Sequence, residues 1–288
     1  MLSESFLKNL NHFEIDFINK NKIPENLFID AKGSSITNYK KECKKNDVPF
    51  VYNTSPHAKC GNSLKNRNGH CIICNSDALH RYRKRYFNDN ISNTTEKYLL
   101  FFDVETTGLP KKRLAQISDS ANWPRIVQFA WVATDSKFSE LEAKSYIIKP
   151  ANYVIPTESS LIHGITNKVA VENGNCIEQV LTEFEEQTDK ATHLIAHNID
   201  FDQKIVLSEF FRNGLGTFHL KPTFCTMKKS ASYVGIKNKN GTYKWPTLEE
   251  LYKKLFNKDL KGAHDAMCDV RATIKSLKSL SKSRIVDI

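Results

Sequence analysis

Hydrophobic and polar positions divide the chain near residue 95. Before that point apolar residues come in short bursts. FLKNLNHFEIDFIN and IPENLFI read as short helices, SSITNYKKECKKN as a capped polar helix, and VPFVYN as a brief strand. After it the pattern alternates between strand and helix. YLLFFDVE is an almost unbroken apolar run, as a strand covered on both faces requires. RIVQFAWVAT and LEAKSYIIKP supply two further strands around a DSK turn. IPTESSLIHGIT holds a short helix, and CIEQVLTEFEEQT sets Ile177, Val180, Leu181 and Phe184 on one helical side. ATHLIAH is a strand, FDQKIVLSEFFRNG a helix closed by Gly214, and HLKPTFCT a short edge strand. PTLEELYKKLF and HDAMCDVRATIKSLKSL follow as helices. The expected class is α/β, a mixed sheet flanked by helices over 97–288, with a small domain over 1–90 ahead of it and the polar run NDNISNTTEK between them. The loops Lys112–Trp123 and Gly235–Lys244 are long enough to shape a groove or to move.

Against this pattern certain polar residues stand out. Asp103 and Glu105, two apart at the end of the apolar strand, leave the sheet on one face. Ionised groups ending a buried run need compensating cations or water. Thr106, Thr107 and Gly108 follow with hydroxyls, amides and a tight turn suited to gripping a terminal nucleotide. In AHNIDFD, Asp202 lies near a helix start just past a strand, where open α/β sheets bind ligands. Asp200 competes for that role or caps the helix. His197 and Asn198 organise the turn, and Phe201 either packs inward or wedges against a base. In GAHDAMCD, His264 and Asp269 are five residues apart, about 140° around a helix, so one helical face does not carry both. His264 is expected on the preceding loop, Asp265 at the cap and Asp269 one turn inside. A loop histidine there suits a general base for an attacking water. Four carboxylates and an imidazole are what two divalent cations need to hydrolyse a phosphodiester.

A second cluster lies in the amino-terminal third. His57, Cys60, Cys71 and Cys74 form two closely spaced pairs, a pattern suited to one structural Zn²⁺ with three thiolates and one imidazole. His70 or His80 are alternatives to His57, and Cys43 is a further alternative ligand. Bound metal would supply folding energy that so short and polar a segment lacks. Arg81, Arg83, Lys84 and Arg85 adjoin it, interleaved with Tyr82 and Tyr86, as a phosphate backbone and stacked bases prefer. A solvated helix face is the plainer reading of the same run.

Charge supports a polyanionic partner. The 288 residues carry a net +10, and the first 95 hold 15 basic against 9 acidic side chains. Seven cysteines without an export signal argue against a disulfide framework and for a cytoplasmic protein. No apolar run reaches the roughly 20 residues of a membrane span, so no membrane partner is expected.

The segments FFDVETTGL, AHNIDFD and HDAMCD, in that order, resemble the DEDD superfamily of 3′-to-5′ exonucleases in its histidine subclass, which includes the proofreading subunit or domain of bacterial replicative DNA polymerases. RIVQFAWV, the turn at Ile148 and Pro150, and LIHGIT resemble it too, over roughly 97–280, while KKRLAQISDSANWP departs from it. The resemblance implies a ribonuclease H-like fold and selects Asp202 over Asp200. It implies two Mg²⁺ or Mn²⁺ ions bridged by Asp103, with Glu105 and Asp269 on the nucleophile side, Asp202 on the other, and His264 taking the water's proton. Nucleoside 5′-monophosphates would leave one by one from a free 3′ end of DNA. Thr106, Thr107, Gly108, His163, Asn198 and Phe201 are candidate contacts to the terminal nucleotide. A polymerase or repair protein is a candidate partner. RNA trimming, and a noncatalytic scaffold on the same fold, are the competing expectations.

Overall fold

The computed structural model describes residues 97–288 apart from 216, 217, 219 and 220, and short stretches before residue 67. The chain divides into two compact units. The first comprises Met1–Thr94, Pro110–Trp123 and Leu207–Pro222. It contains helix α1 (Glu4–Leu7) and strands β1 (Phe28–Asp30), β2 (Phe50–Tyr52) and β3 (Lys65–Asn66). β1 runs parallel to β2, and β3 antiparallel to it. The end of IPENLFI is thus strand where a helix is expected: Phe28 packs on Phe6, which is 1% exposed, and tertiary pairing overrides a weak helical pattern. The segment 110–123 is a folded loop, in which Asn122 bonds both the N–H and the carbonyl of Lys112 and Trp123 Nε1 donates to Gln116 O at 2.7 Å.

The second unit comprises Thr95–Leu109, Pro124–Val206 and Thr223–Ile288. In chain order it holds β4 (Leu99–Thr106), β5 (Ile126–Thr134), β6 (Glu140–Ile147), α2 (Thr157–His163), α3 (Asn167–Asn173), α4 (Ile177–Lys190), β7 (His193–Ala196), the start of α5 (Ile199–Arg212), β8 (Thr223–Cys225), α6 (Thr226–Val234), α7 (Leu248–Phe256) and α8 (Ala266–Lys282). The sheet order is β6-β5-β4-β7-β8, antiparallel at β6/β5 and β5/β4 and parallel at β4/β7 and β7/β8. All nine residues of β5 are buried, as its apolar run demands, whereas β6, at the sheet edge, is exposed or half-buried along its whole length.

The two faces of β4 have different fates. Phe102 packs with Phe129, Trp131 and Phe184 of α4 in an aromatic layer whose ring centroids lie 4.7–6.4 Å apart. Leu99 and Phe101 face the other way, onto Ala266, Val270 and Leu277 of α8. Asp103 and Glu105 share that second face. They are the two half-buried positions of an otherwise buried strand.

Helices α3 and α6 are not among the expected elements. Both are short: α3 starts from Thr166, whose hydroxyl accepts from Val169 N–H, and α6 begins at Thr226 directly after the edge strand. Gly174 ends α3 against the backbone of Lys149, where an added Cβ would lie 2.5 Å from Lys149 N, so only glycine fits. Among the described residues, no helix is long and apolar enough to cross a membrane.

Candidate active site

Three chain segments deliver carboxylates to one end of the sheet. β4 supplies Asp103 and Glu105. Strand β7 stops at Ala196, so β4 beyond Phe101 has no strand partner on that side. The carboxylate of Asp202 accepts the N–H of Val104 there, which ties α5 to β4. The turn before α5 is made by Asn198 with φ 81, whose carbonyl accepts from Phe201 N–H at 2.8 Å. Within the first turn of α5 the two aspartates part: Asp202 is 3% exposed, whereas Asp200 points outward and pairs with Lys228. Asp200 therefore neither caps the helix nor joins the cluster.

The third segment is the turn into α8. Gly262 and His264 both take left-handed φ, of 73 and 65. Asp265 caps the helix, its Oδ1 accepting from Cys268 N–H at 2.9 Å. Asp269 sits one turn inside and its Oδ2 accepts from His264 N–H at 3.2 Å, which folds the histidine loop back over the cluster. Glu105, His264 and Asp269 bring one ligand atom each to within 4.8 Å of one another.

Crowding shows in the proton affinities. Burial, then the neighbouring charges of Asp202, Asp269 and Glu105, raise Asp103 well above the carboxylate range. Asp202 is likewise raised, chiefly by burial, against the lowering pull of its own and Val104's N–H groups. Glu105 is pushed to about 8 by burial, then by Asp269 and Asp265. Asp269 rises to about 6, again through burial. Its Oδ1 is buried with no hydrogen-bond partner. A set of hard oxygen donors that repel one another, one of them orphaned, fits divalent cations of the Mg²⁺ class.

Beside the cluster a cleft of about 210 Å³ is bounded by Glu105, Thr106, Gly108, His163 and Phe201. Thr107 serves the loop itself, its hydroxyl accepting from Arg125 N–H at 2.9 Å. His163 is 9% exposed; its Nδ1 accepts from Ile165 N–H at 3.1 Å, which leaves the proton on Nε2, a buried donor without a partner. Burial, then the nearby His264, lowers its proton affinity and keeps the ring neutral.

Sequence reasoning missed Gln128. It lies opposite Glu105 in the β4/β5 register, is 6% exposed, and grips the start of α8 with both ends of its amide. Nε2 donates to Asp265 Oδ2 at 2.9 Å and Oε1 accepts from Ala266 N–H at 3.0 Å. The available signal was one glutamine inside an apolar central strand, since a buried amide implies a bonded partner. His57, Cys60, Cys71 and Cys74, and the basic run Arg81, Arg83, Lys84 and Arg85, lie outside the described residues.

A family model of the RNase T type, described as Exonuclease, matches residues 100–277. E. coli Exonuclease I in complex with a dA16 oligonucleotide is 25% identical with a TM-score of 0.52, over 66% of this chain and 42% of that one. The Exonuclease I structure described as suggesting how processivity is achieved is 26% identical at 0.53, over the same shares. The zinc-ion-bound form of the E. coli protein with single-stranded DNA is 25% identical at 0.53, over 65% and 41%. This chain thus spans less than half the length of those proteins. No curated protein matches it.

Proposed function

The chain belongs to the RNase T family of exonucleases and carries its ribonuclease H-like fold, and from that premise we propose that it is a 3′-to-5′ exonuclease of the histidine subclass, acting on DNA. The observation that carries this reading is the convergence of Asp103, Glu105, Asp202 and Asp269 at one sheet end with His264 folded over them. These four carboxylates would hold two Mg²⁺ or Mn²⁺ ions. Bound there, such ions neutralise the crowded acids, acidify water and offset charge on a leaving 3′ oxygen.

The rest belongs to the chain's own groups. His264 accepts the proton of the attacking water, from a loop that Asp269 holds in place. Nε2–H of His163 donates to an oxygen of the terminal nucleotide, and Phe201 bounds its base. Thr106 donates its hydroxyl to Gly108 O at 2.6 Å, which shapes the turn so that backbone, not hydroxyl, faces the substrate. Asn198 sets the direction of α5. The product is a nucleoside 5′-monophosphate.

DNA is favoured because E. coli Exonuclease I binds DNA oligonucleotides. The catalytic domain is assigned to 97–288, and residues 1–90 to a zinc-binding module, with His57, Cys60, Cys71 and Cys74 as ligands and the Arg81–Arg85 run on nucleic acid. The test uses end-labelled DNA and RNA, each with a free or blocked 3′ terminus, with and without Mg²⁺. Mononucleotides released only from free 3′ ends of DNA, and only with metal, are expected. Release from blocked ends contradicts the reading, and a preference for RNA reassigns the substrate.

A further inference from the structure

The segment joining α6 to α7 plays no part in the chemistry above, yet its composition is unusual. Together with α6 before it, from Thr226 to Leu248, it carries Lys228, Lys229, Lys237, Lys239 and Lys244 and no acidic residue. It folds as a small hairpin: Lys237 and Tyr243 form an antiparallel bridge, Asn238 N–H donates to Thr242 O at 2.8 Å and Lys244 N–H to Ile236 O at 2.8 Å. Two large rings stand out from it, Trp245 at 55% and Tyr243 at 46% exposure. Each ring has a lysine against it, Lys228 Nζ at 5.5 Å from the Trp245 centroid and Lys237 Nζ at 5.8 Å from that of Tyr243.

The hairpin is tethered to the turn that carries Asp202. His197 Nε2 donates to Pro246 O at 3.0 Å, and its Nδ1 lies 2.9 Å from Thr226 Oγ1. Burial keeps that imidazole neutral, with its pKa near 4. Lys228 pairs with Asp200 on the outer side of the same turn. His197, bonded to Pro246, lies five residues before Asp202 in the chain, and all of these groups belong to the second unit.

We propose that the 235–245 hairpin is a platform for the single strand leading into the active site, with bases stacked on Trp245 and Tyr243 and phosphates on Lys237 and Lys239, while Lys244 is paired with Glu250 at 2.6 Å. This deepens the exonuclease reading and rests on it. Exposed aromatic faces set among cations are what a strand offers partners to: every base has a face to stack, and every phosphate a charge to neutralise. A ring held in place by a lysine is also preformed for stacking, so little side-chain order is lost on binding. Neither interaction reads a base sequence or the sugar, so oligothymidylate and oligouridylate should bind alike.

Trp245 makes the proposal measurable, because Trp123 and Trp131, the other two tryptophans, are 4% and 0% exposed. The full chain is used with Asp103→Asn, so that the strand survives, and tryptophan emission is followed as a twelve-residue oligothymidylate is added. Quenching is expected. Adding Trp245→Phe should remove the quench while Kd stays within about threefold, since the ring is retained. Adding Trp245→Ala should raise Kd about tenfold, with a smaller rise for a dinucleotide. No binding by the parent, a quench that persists in Trp245→Phe, or a Trp245→Ala protein that binds as the parent does, each overturns the platform. Failure of the exonuclease reading registers separately, as unmodified protein with Mg²⁺ that releases no mononucleotide.

Discussion

Glu105 is held at a pKa of about 8, against an ordinary value of 4.5, chiefly by burial and then by Asp269 and Asp265. A carboxyl raised in the folded state binds more protons folded than unfolded at intermediate pH, so stability falls as pH rises through that interval. Asp103 and Asp202 are raised too and act in the same direction. The metal-free protein should therefore melt at a lower temperature at pH 8 than at pH 5, and Mg²⁺ at pH 8 should recover the loss. Thermal scans in EDTA and in Mg²⁺ read this directly, and Glu105→Gln should flatten the EDTA dependence. Stability that rises toward pH 8 in EDTA would mean that the acids are not crowded as described. At this scale the motif residues were legible because their chemistry is rare: an acid closing an apolar strand, or a histidine just before a helix cap, has few structural reasons to be there. Their mutual distances were not legible, since they depend on a turn at Asn198 and a left-handed His264 that no local pattern announces.

Among the elements, α8 has the most to position, because both Asp269 and the His264 loop travel with its first turn. Gln128 fixes that turn to β5 through two hydrogen bonds. Gln128→Leu keeps the volume and strands Asp265 Oδ2 and Ala266 N–H, which should cost about 1–3 kcal/mol. Chemical denaturation checks the stability. A kcat reduced tenfold or more, with KM for the strand little changed, would show that the helix start was displaced; a kcat equal to the parent's would show that Asp265 alone suffices. Strands β4 and β5 could be read from the chain because they are long apolar runs, and helices α4 and α8 because they are long with a helical period. Helices α3 and α6 could not. Val169 and Val171 in NKVAVEN are two apart, as in a strand, and the buried side of TMKKSASYV is made of Thr226, Ser230 and Ala231 with Val234, small or polar residues that mute its helical period. Phe28–Asp30 misled for the opposite reason, an apparent helix claimed by a strand partner distant in sequence.

For the molecule as a whole, the chain extends well beyond the family's 100–277 region on its amino-terminal side. If His57, Cys60, Cys71 and Cys74 hold a metal, purified protein contains about one zinc per chain by elemental analysis, and Cys71→Ser loses it; zinc-free protein of native stability would remove that assignment. The exonuclease chemistry rests on the cluster on β4. It is tested most directly by following release of labelled mononucleotide from the free 3′ end of a DNA strand in Mg²⁺, with the unmodified protein and with Asp103→Asn. Stepwise 5′-monophosphate release is expected, falling at least a thousandfold in the variant (roughly 4 kcal/mol of barrier) while the variant still folds and binds the strand. Turnover unchanged by Asp103→Asn, or a first product cut from the interior of the strand, would contradict it.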